Sequence, residues 1–262
     1  MKTSALGWVA ATIVLILSGC AAQKVALMPE SRAKVGAAVV ILEVPQEEIF
    51  AEINPSNSAA AMGGGLLFAL IDTAVNNSRA KDAELKVEPY RNALHDFDFQ
   101  ALLRREVERA VADLTWLDTV TVEVDRSPEG KLRQDRLANG TSDSIFVLRV
   151  GYSMTPDFGS LHVTGDAKIL PTKAGEARRQ KDAAKPKATA ATAASEKPSQ
   201  PLYWQTFTAT QSTPADSPGP AGEVWTRNNG AALRAALEAA TRNLVDQVAE
   251  DVDGRRAANK PK

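Results

Sequence analysis

The chain carries one cysteine and two histidines, so it cannot build an intramolecular disulfide, a CxxC redox pair or a zinc site of four Cys/His ligands. Whatever fold it adopts must rest on buried apolar surface and backbone hydrogen bonds. The material for that is present: 44% of the 262 residues are hydrophobic, and a chain of this size can bury a core without covalent staples. The 31 basic and 32 acidic side chains nearly cancel. This removes the positive charge that grips nucleic-acid phosphates and argues against nucleic acid as a partner.

The cysteine closes the leader. Met1-Lys2 is followed by a twelve-residue apolar run from Leu6 to Leu17 and then by Ser18-Gly19-Cys20, the pattern of an export signal. A bilayer-spanning helix needs about 20 apolar residues, and this run is shorter. Leu17-Ser18-Gly19-Cys20 resembles the lipobox of bacterial lipoproteins at all four positions. The resemblance implies a diacylglyceryl thioether on Cys20, cleavage before it and an acyl chain on the new amino terminus. At about 0.8 kcal/mol per buried methylene, two or more acyl chains make a stable anchor. By the same resemblance, Ala21 in place of an aspartate implies sorting to the outer membrane, facing the periplasm. Residues 1–19 then form a signal peptide and 20–33 the acylated cysteine with its tether.

The remainder reads as one α/β domain over 34–253 and a disordered tail over 254–262. The β-branched runs at 35–44 and 144–152, and the alternating Thr119–Val124, predict strands. Pro156-Asp157-Phe158-Gly159 has the residues of a tight turn and predicts a hairpin from the 144–155 strand into 161–170. Leu202–Thr208 supplies a fifth strand. Apolar residues at helical spacing predict helices over 98–114, with Asp98 as cap, and over 231–252, and a shorter one near 132–137. Thr172–Gln200 has no aromatic, Val, Ile or Leu, which predicts a long disordered insertion between the last two strands. Its excess of Lys and Arg suits either a solvated linker or contact with anionic envelope polymers. The expected architecture is a mixed five-stranded sheet packed against helices. That order of elements resembles the α/β domain of several envelope lipoproteins: the amino-terminal domain of the Tol-system propeller protein, the curli-secretion lipoprotein, penicillin-binding-protein activators and auxiliary lipoproteins of transport systems.

One stretch stands apart. Ser58–Ile71, SAAAMGGGLLFALI, is fourteen residues without a charge. It reads as a glycine loop entering a core helix, or as an interaction element centred on Gly63, Gly64, Gly65, Leu66, Leu67 and Phe68. No Lys-Ser/Thr follows the glycines, so a phosphate cradle is disfavoured. Leu66–Val75 carries a helical apolar stripe, and Pro89 is expected to stop the helix that follows.

Residues for catalysis are sparse. Gly159-Ser160-Leu161-His162 lacks the pattern of a nucleophile elbow. His95 lies beside Asp96 and Asp98, but Asp98 serves better as a cap. Asp135, Asp143, Asp157 and Asp166 fall in separate turns, with no spacing that joins two carboxylates. The expectation is therefore no enzyme, no cofactor and no metal. The sequence points to a membrane-anchored, periplasm-facing binding or scaffold module for envelope proteins or polymers. The alternative is a self-assembling secretion or transport subunit that oligomerises through the 58–75 segment.

Overall fold

In the computed structural model, residues 24–52, 66–127, 129–183, 200–213 and 220–255 are described. They form a mixed sheet with helices on both faces. In chain order the elements are α1 (Pro29–Arg32), β1 (Ala37–Glu43), β2 (Phe50–Ala51), α2 (Leu66–Leu94), α3 (Phe99–Ala112), β3 (Asp118–Asp125), α4 (Lys131–Asn139), β4 (Ser144–Met154), β5 (Ser160–Pro171), α5 (Lys173–Ala183), β6 (Tyr203–Ser212) and α6 (Ala221–Val252). The sheet order is β3-β1-β4-β5-β6. Strand β1 runs parallel to β3 and β4, and β4, β5 and β6 form an antiparallel meander. The five expected strands are all present. The sixth, β2, continues β1's track along β4 for two residues, too few to leave a periodic signal.

Alternation along the strands sorts two faces. The inner one carries Val40 and Leu42, Phe146 and Leu148, Leu161 and Val163, and Phe207 and Ala209, and it packs on α3 and α6 in one cluster. Leu233, Leu237, Ala240 and Leu244 of α6 are fully buried there. At Arg227–Gly230 the backbone leaves helical geometry, with Asn228, Asn229 and Gly230 all left-handed, which redirects α6 before its main run over 231–252. Gly230 has no room for a side chain because Ala93 lies against it. On the outer face, α4 covers only Ile41, Ile145 and Val147, using Leu132 and Leu137.

Three sequence expectations need correction. Pro89 does not stop α2, which continues to Leu94. The proline faces solvent, while Val87, Tyr90 and Ala93 are buried on the core, so packing outweighs the lost hydrogen bond. The stretch expected to be disordered from Thr172 begins with α5. Composition misses this helix because polar contacts hold it: the Gly175 N–H donates to Thr172 Oγ1 at 3.0 Å, Arg178 pairs with Asp143 at 2.7 Å, and Arg179 donates to the Lys34 carbonyl at 2.9 Å. Residues 184–199 of that stretch lie outside the described residues. The tether is also docked from Val25 onward, where Val25 bridges Trp204 and Leu27 is buried.

Helices α3 and α6 are joined by charge as well as by apolar packing. Glu106 is only 3% exposed and meets Arg105 at 3.3 Å, Arg109 at 3.2 Å and Arg242 at 3.3 Å, while Arg109 also pairs with Asp246 at 2.5 Å. Burial pushes the Glu106 carboxyl up, but the hydrogen bonds from Arg242, Arg109 and Arg105 outweigh it and hold the group below its ordinary 4.5. A depressed carboxyl stabilises the fold above its unfolded value, and that contribution is lost as the pH falls through the folded one. Glu106→Gln should therefore cost about 2 kcal/mol at pH 7, discounted for the exposed arginines. In urea unfolding, the gap between wild type and variant should narrow below about pH 4.

Candidate functional site

Helix α2 has a buried root and an exposed arm. At the root, Val87, Tyr90 and Ala93 are buried, and Tyr90 stacks on Phe158 with ring centroids 5.0 Å apart. Burial pushes the Tyr90 hydroxyl up to about 12. Phe158, at the β4–β5 turn, has φ 57°, and its carbonyl accepts from Trp225 Nε1 at 2.9 Å. Arg234 closes the helix end, donating to the Ala93 carbonyl at 2.7 Å and pairing with Asp96. Arg91 ties the root to the strap before it. It donates to the Ile49 carbonyl at 3.1 Å, pairs with Glu48 at 2.9 Å and also pairs with Glu84 across Pro89.

The stretch before the root lies at the surface, with Glu84 held by Arg91. From Asn77 to Lys86 every residue except the half-buried Ala83 is exposed, and Leu85 is 71% exposed. The helix begins at Leu66, Leu67 and Phe68. Gly63, Gly64 and Gly65 lie outside the described residues, as does Cys20. The surroundings of the Leu66–Val75 stripe, on which the core-helix and interaction-element readings turn, lie outside the described residues.

A second group of residues sits just before that segment. Glu52, following β2, accepts from Ser153 Oγ at 2.6 Å and meets His162 Nδ1 at 3.0 Å. Gln46 secures the same strap, accepting from the Tyr152 N–H and donating to the Tyr152 carbonyl, both at 2.9 Å. Sequence reasoning singled out His162 but missed Glu52 and Ser153. They lie 110 and 9 residues away and share no motif, so only the β2–β4 pairing brings Glu52 in. In this arrangement the carboxylate stands between serine and histidine. A nucleophile–base pair needs the histidine at the serine's proton. Ser160 Oγ turns to Ser212 Oγ at 2.9 Å instead.

The other candidates are occupied by structural work. Asp98 caps α3 through the Ala101 N–H at 2.9 Å, and His95 is exposed. Asp135 accepts from Asn139, Asp157 orders its own turn through Thr155 and Gly159, and Asp166 takes Lys168 and Trp204 Nε1. The sheet places two other carboxylates side by side: buried Glu43 and Asp125 are register partners. Both are engaged. Glu43 pairs with Arg133 at 3.0 Å. Asp125 accepts from Ser127 Oγ at 2.6 Å, the Ser127 N–H at 2.8 Å and the Leu132 N–H at 2.9 Å. Burial pushes its carboxyl up, yet these donors hold it below the usual range. The pair anchors the start of α4. Among the described residues, no group of three or more His, Cys, Asp or Glu could hold a metal ion, and no helix is long and apolar enough to cross a membrane.

No known family model and no curated protein sequence matches the chain. Solved structures overlap it remotely. A Caulobacter crescentus protein described as a lipoprotein is 15% identical, covering 63% of this chain and 88% of its own, with a TM-score of 0.28. A Xanthomonas campestris protein of the DUF330 family is 11% identical, covering 87% and 91%, with a TM-score of 0.30. A PelC dodecamer from Paraburkholderia phytofirmans is 11% identical, covering 88% and 94%, with a TM-score of 0.27. Values this low do not establish a shared fold.

The split of α2 into root and arm is testable by limited trypsin digestion, which should cut at Lys81 or Lys86 before any site in β4 or β5. Arg91→Ala should speed those cuts several-fold by freeing the root from Glu48 and Ile49. In a pH titration followed by tyrosine absorbance, Tyr90 should stay protonated until about pH 12.

Proposed function

We propose that the chain is a lipid-anchored envelope protein that works by contact and not by catalysis. Cys20 carries the anchor at the outer membrane, facing the periplasm, and the α2 arm presents the contact surface. The observation that carries this reading is the exposure of Asn77–Lys86 on all sides. A helix gains most of its stability from packing one face, and this one runs through water toward the most apolar stretch after the leader. Leu66, Leu67, Leu70, Ile71, Ala74 and Val75 form a stripe at helical spacing there, the pattern of a groove-binding helix. The non-catalytic half of the reading is supported by the Ser153–Glu52–His162 geometry and by aspartates engaged in a cap, a turn or side-chain pairs.

Anchoring supplies the affinity. Confined to a surface, copies of the protein and their partners meet at high effective concentration, so weak contacts suffice. Mass spectrometry of protein purified from cells should find Cys20 acylated and residues 1–19 gone. Cys20→Ala should move the protein out of the membrane fraction. Leu70→Asp with Ile71→Asp should leave membrane retention and circular dichroism unchanged but abolish co-purification of envelope partners in mild detergent. Partners retained by that double variant would refute the arm's role, and a bare Cys20 thiol would refute the anchor.

A further inference from the structure

Strand β6 forms one edge of the sheet. Tyr203–Ser212 contains no charged residue and no proline, and its register with β5 is unbroken. It therefore lacks the devices by which edge strands ordinarily refuse a partner. The opposite edge, β3, carries Asp118, Glu123 and Asp125.

Val25 demonstrates how the outer side of β6 treats an extended chain. The Val25 N–H donates to the Trp204 carbonyl and the Trp204 N–H to the Val25 carbonyl, each at 2.9 Å. Residues of an antiparallel strand alternate in the side to which they turn their backbone groups. This exchange therefore puts the N–H and C=O of Thr206, Thr208, Thr210 and Ser212 on the outer side as well. Among the described residues, no strand pairs with that side beyond Trp204. The side chain of Gln247 reaches the Thr208 carbonyl only at 3.5 Å.

We infer that this edge pairs with the β6 edge of a second copy of the chain, antiparallel, about a two-fold axis at Ala209. In an antiparallel ladder, outward-bonding residues must face outward-bonding residues. With Trp204 taken by Val25, one register uses all four that remain. Thr206 faces the partner's Ser212, Thr208 faces the partner's Thr210, and Ala209 faces the partner's Ala209. A two-fold interface sets each side chain against its own kind or a near neighbour, so a charge near the axis would meet a like charge. The uncharged β6 meets that condition and the acidic β3 does not. Hydroxyl-bearing side chains stand opposite one another on the outer face, a favourable cross-strand pairing. The small Ala209 falls at the closely spaced position, where Cα atoms approach to about 4.5 Å.

Sedimentation velocity of the full chain in detergent, over a concentration series, should show monomer–dimer exchange. Thr208 is exposed, so Thr208→Lys should keep the circular dichroism spectrum and weaken the dimer about tenfold or more. When Thr208→Cys and Thr210→Cys chains are mixed and mildly oxidised, a disulfide between positions 208 and 210 of different chains should form. The roughly 5.5 Å Cα spacing of such a pair lies within disulfide reach. Detection of that linked peptide by mass spectrometry, with neither variant alone forming a dimer through position 208 or 210, fixes the register. A monomer at every concentration, or a dimer or larger ring indifferent to Thr208→Lys, overturns the inference. So does slow hydrogen exchange of the Thr206 and Thr208 amides in the monomer, since the chain's own residues upstream of Val25 would then occupy the edge.

Discussion

Everything in this molecule depends on the closure of α6 over the inner face of the sheet. With a single cysteine, and so no intramolecular disulfide, the fully buried Leu233, Leu237, Ala240 and Leu244 join β5 and β6 to α3 through one continuous apolar cluster. Burial of that kind scales with area and has no direction, so it does not by itself fix how the helices sit. Direction comes from Glu106, whose nearly buried carboxylate is shared by arginines of both helices. It also comes from Gly230, which admits α6 against Ala93 where a side chain would collide.

That closure also defines the division within α2. Its last turns are gripped by α6, by the β4–β5 turn and by Arg91, while Asn77–Lys86 is left in solvent. The strap holding Glu48, Ile49 and Glu52 lies between the sheet and this root. The Ser153–Glu52–His162 contacts therefore hold the strap to β4 and β5.

The sheet is asymmetric in how it is covered. One face is sealed, whereas the other is covered by α4 over Ile41, Ile145 and Val147 and leaves Arg149, Thr164, Thr206, Thr208 and Thr210 exposed. Buried acids hold the covered end: Asp125 accepts from the Leu132 N–H in the first turn of α4, and Glu43 pairs with Arg133. In composition these resemble a catalytic carboxylate pair. In geometry they are a helix cap and an ion pair.

Much of the architecture was legible in the sequence because period two and period 3.6 are local signals. The five long strands, the Asp98 cap, the turn at Pro156–Gly159 and the break before Ala231 all follow from residues within a few positions of one another. Signals that depend on distant partners were not legible. Pro89 continues a helix because Tyr90 and Arg91 find partners in other elements, and α5 forms because Thr172, Arg178 and Arg179 bond outside their own segment. By itself, then, the sequence determined the strand and helix pattern and, with one cysteine, the absence of an intramolecular disulfide. Only the tertiary structure decided that Glu52 meets His162, that Glu43 lies beside Asp125, and that α2 buries Val87, Tyr90 and Ala93 while Asn77–Lys86 stays at the surface. Each of these is set by strand register and helix packing between residues far apart in the chain, a relation that no local spacing encodes.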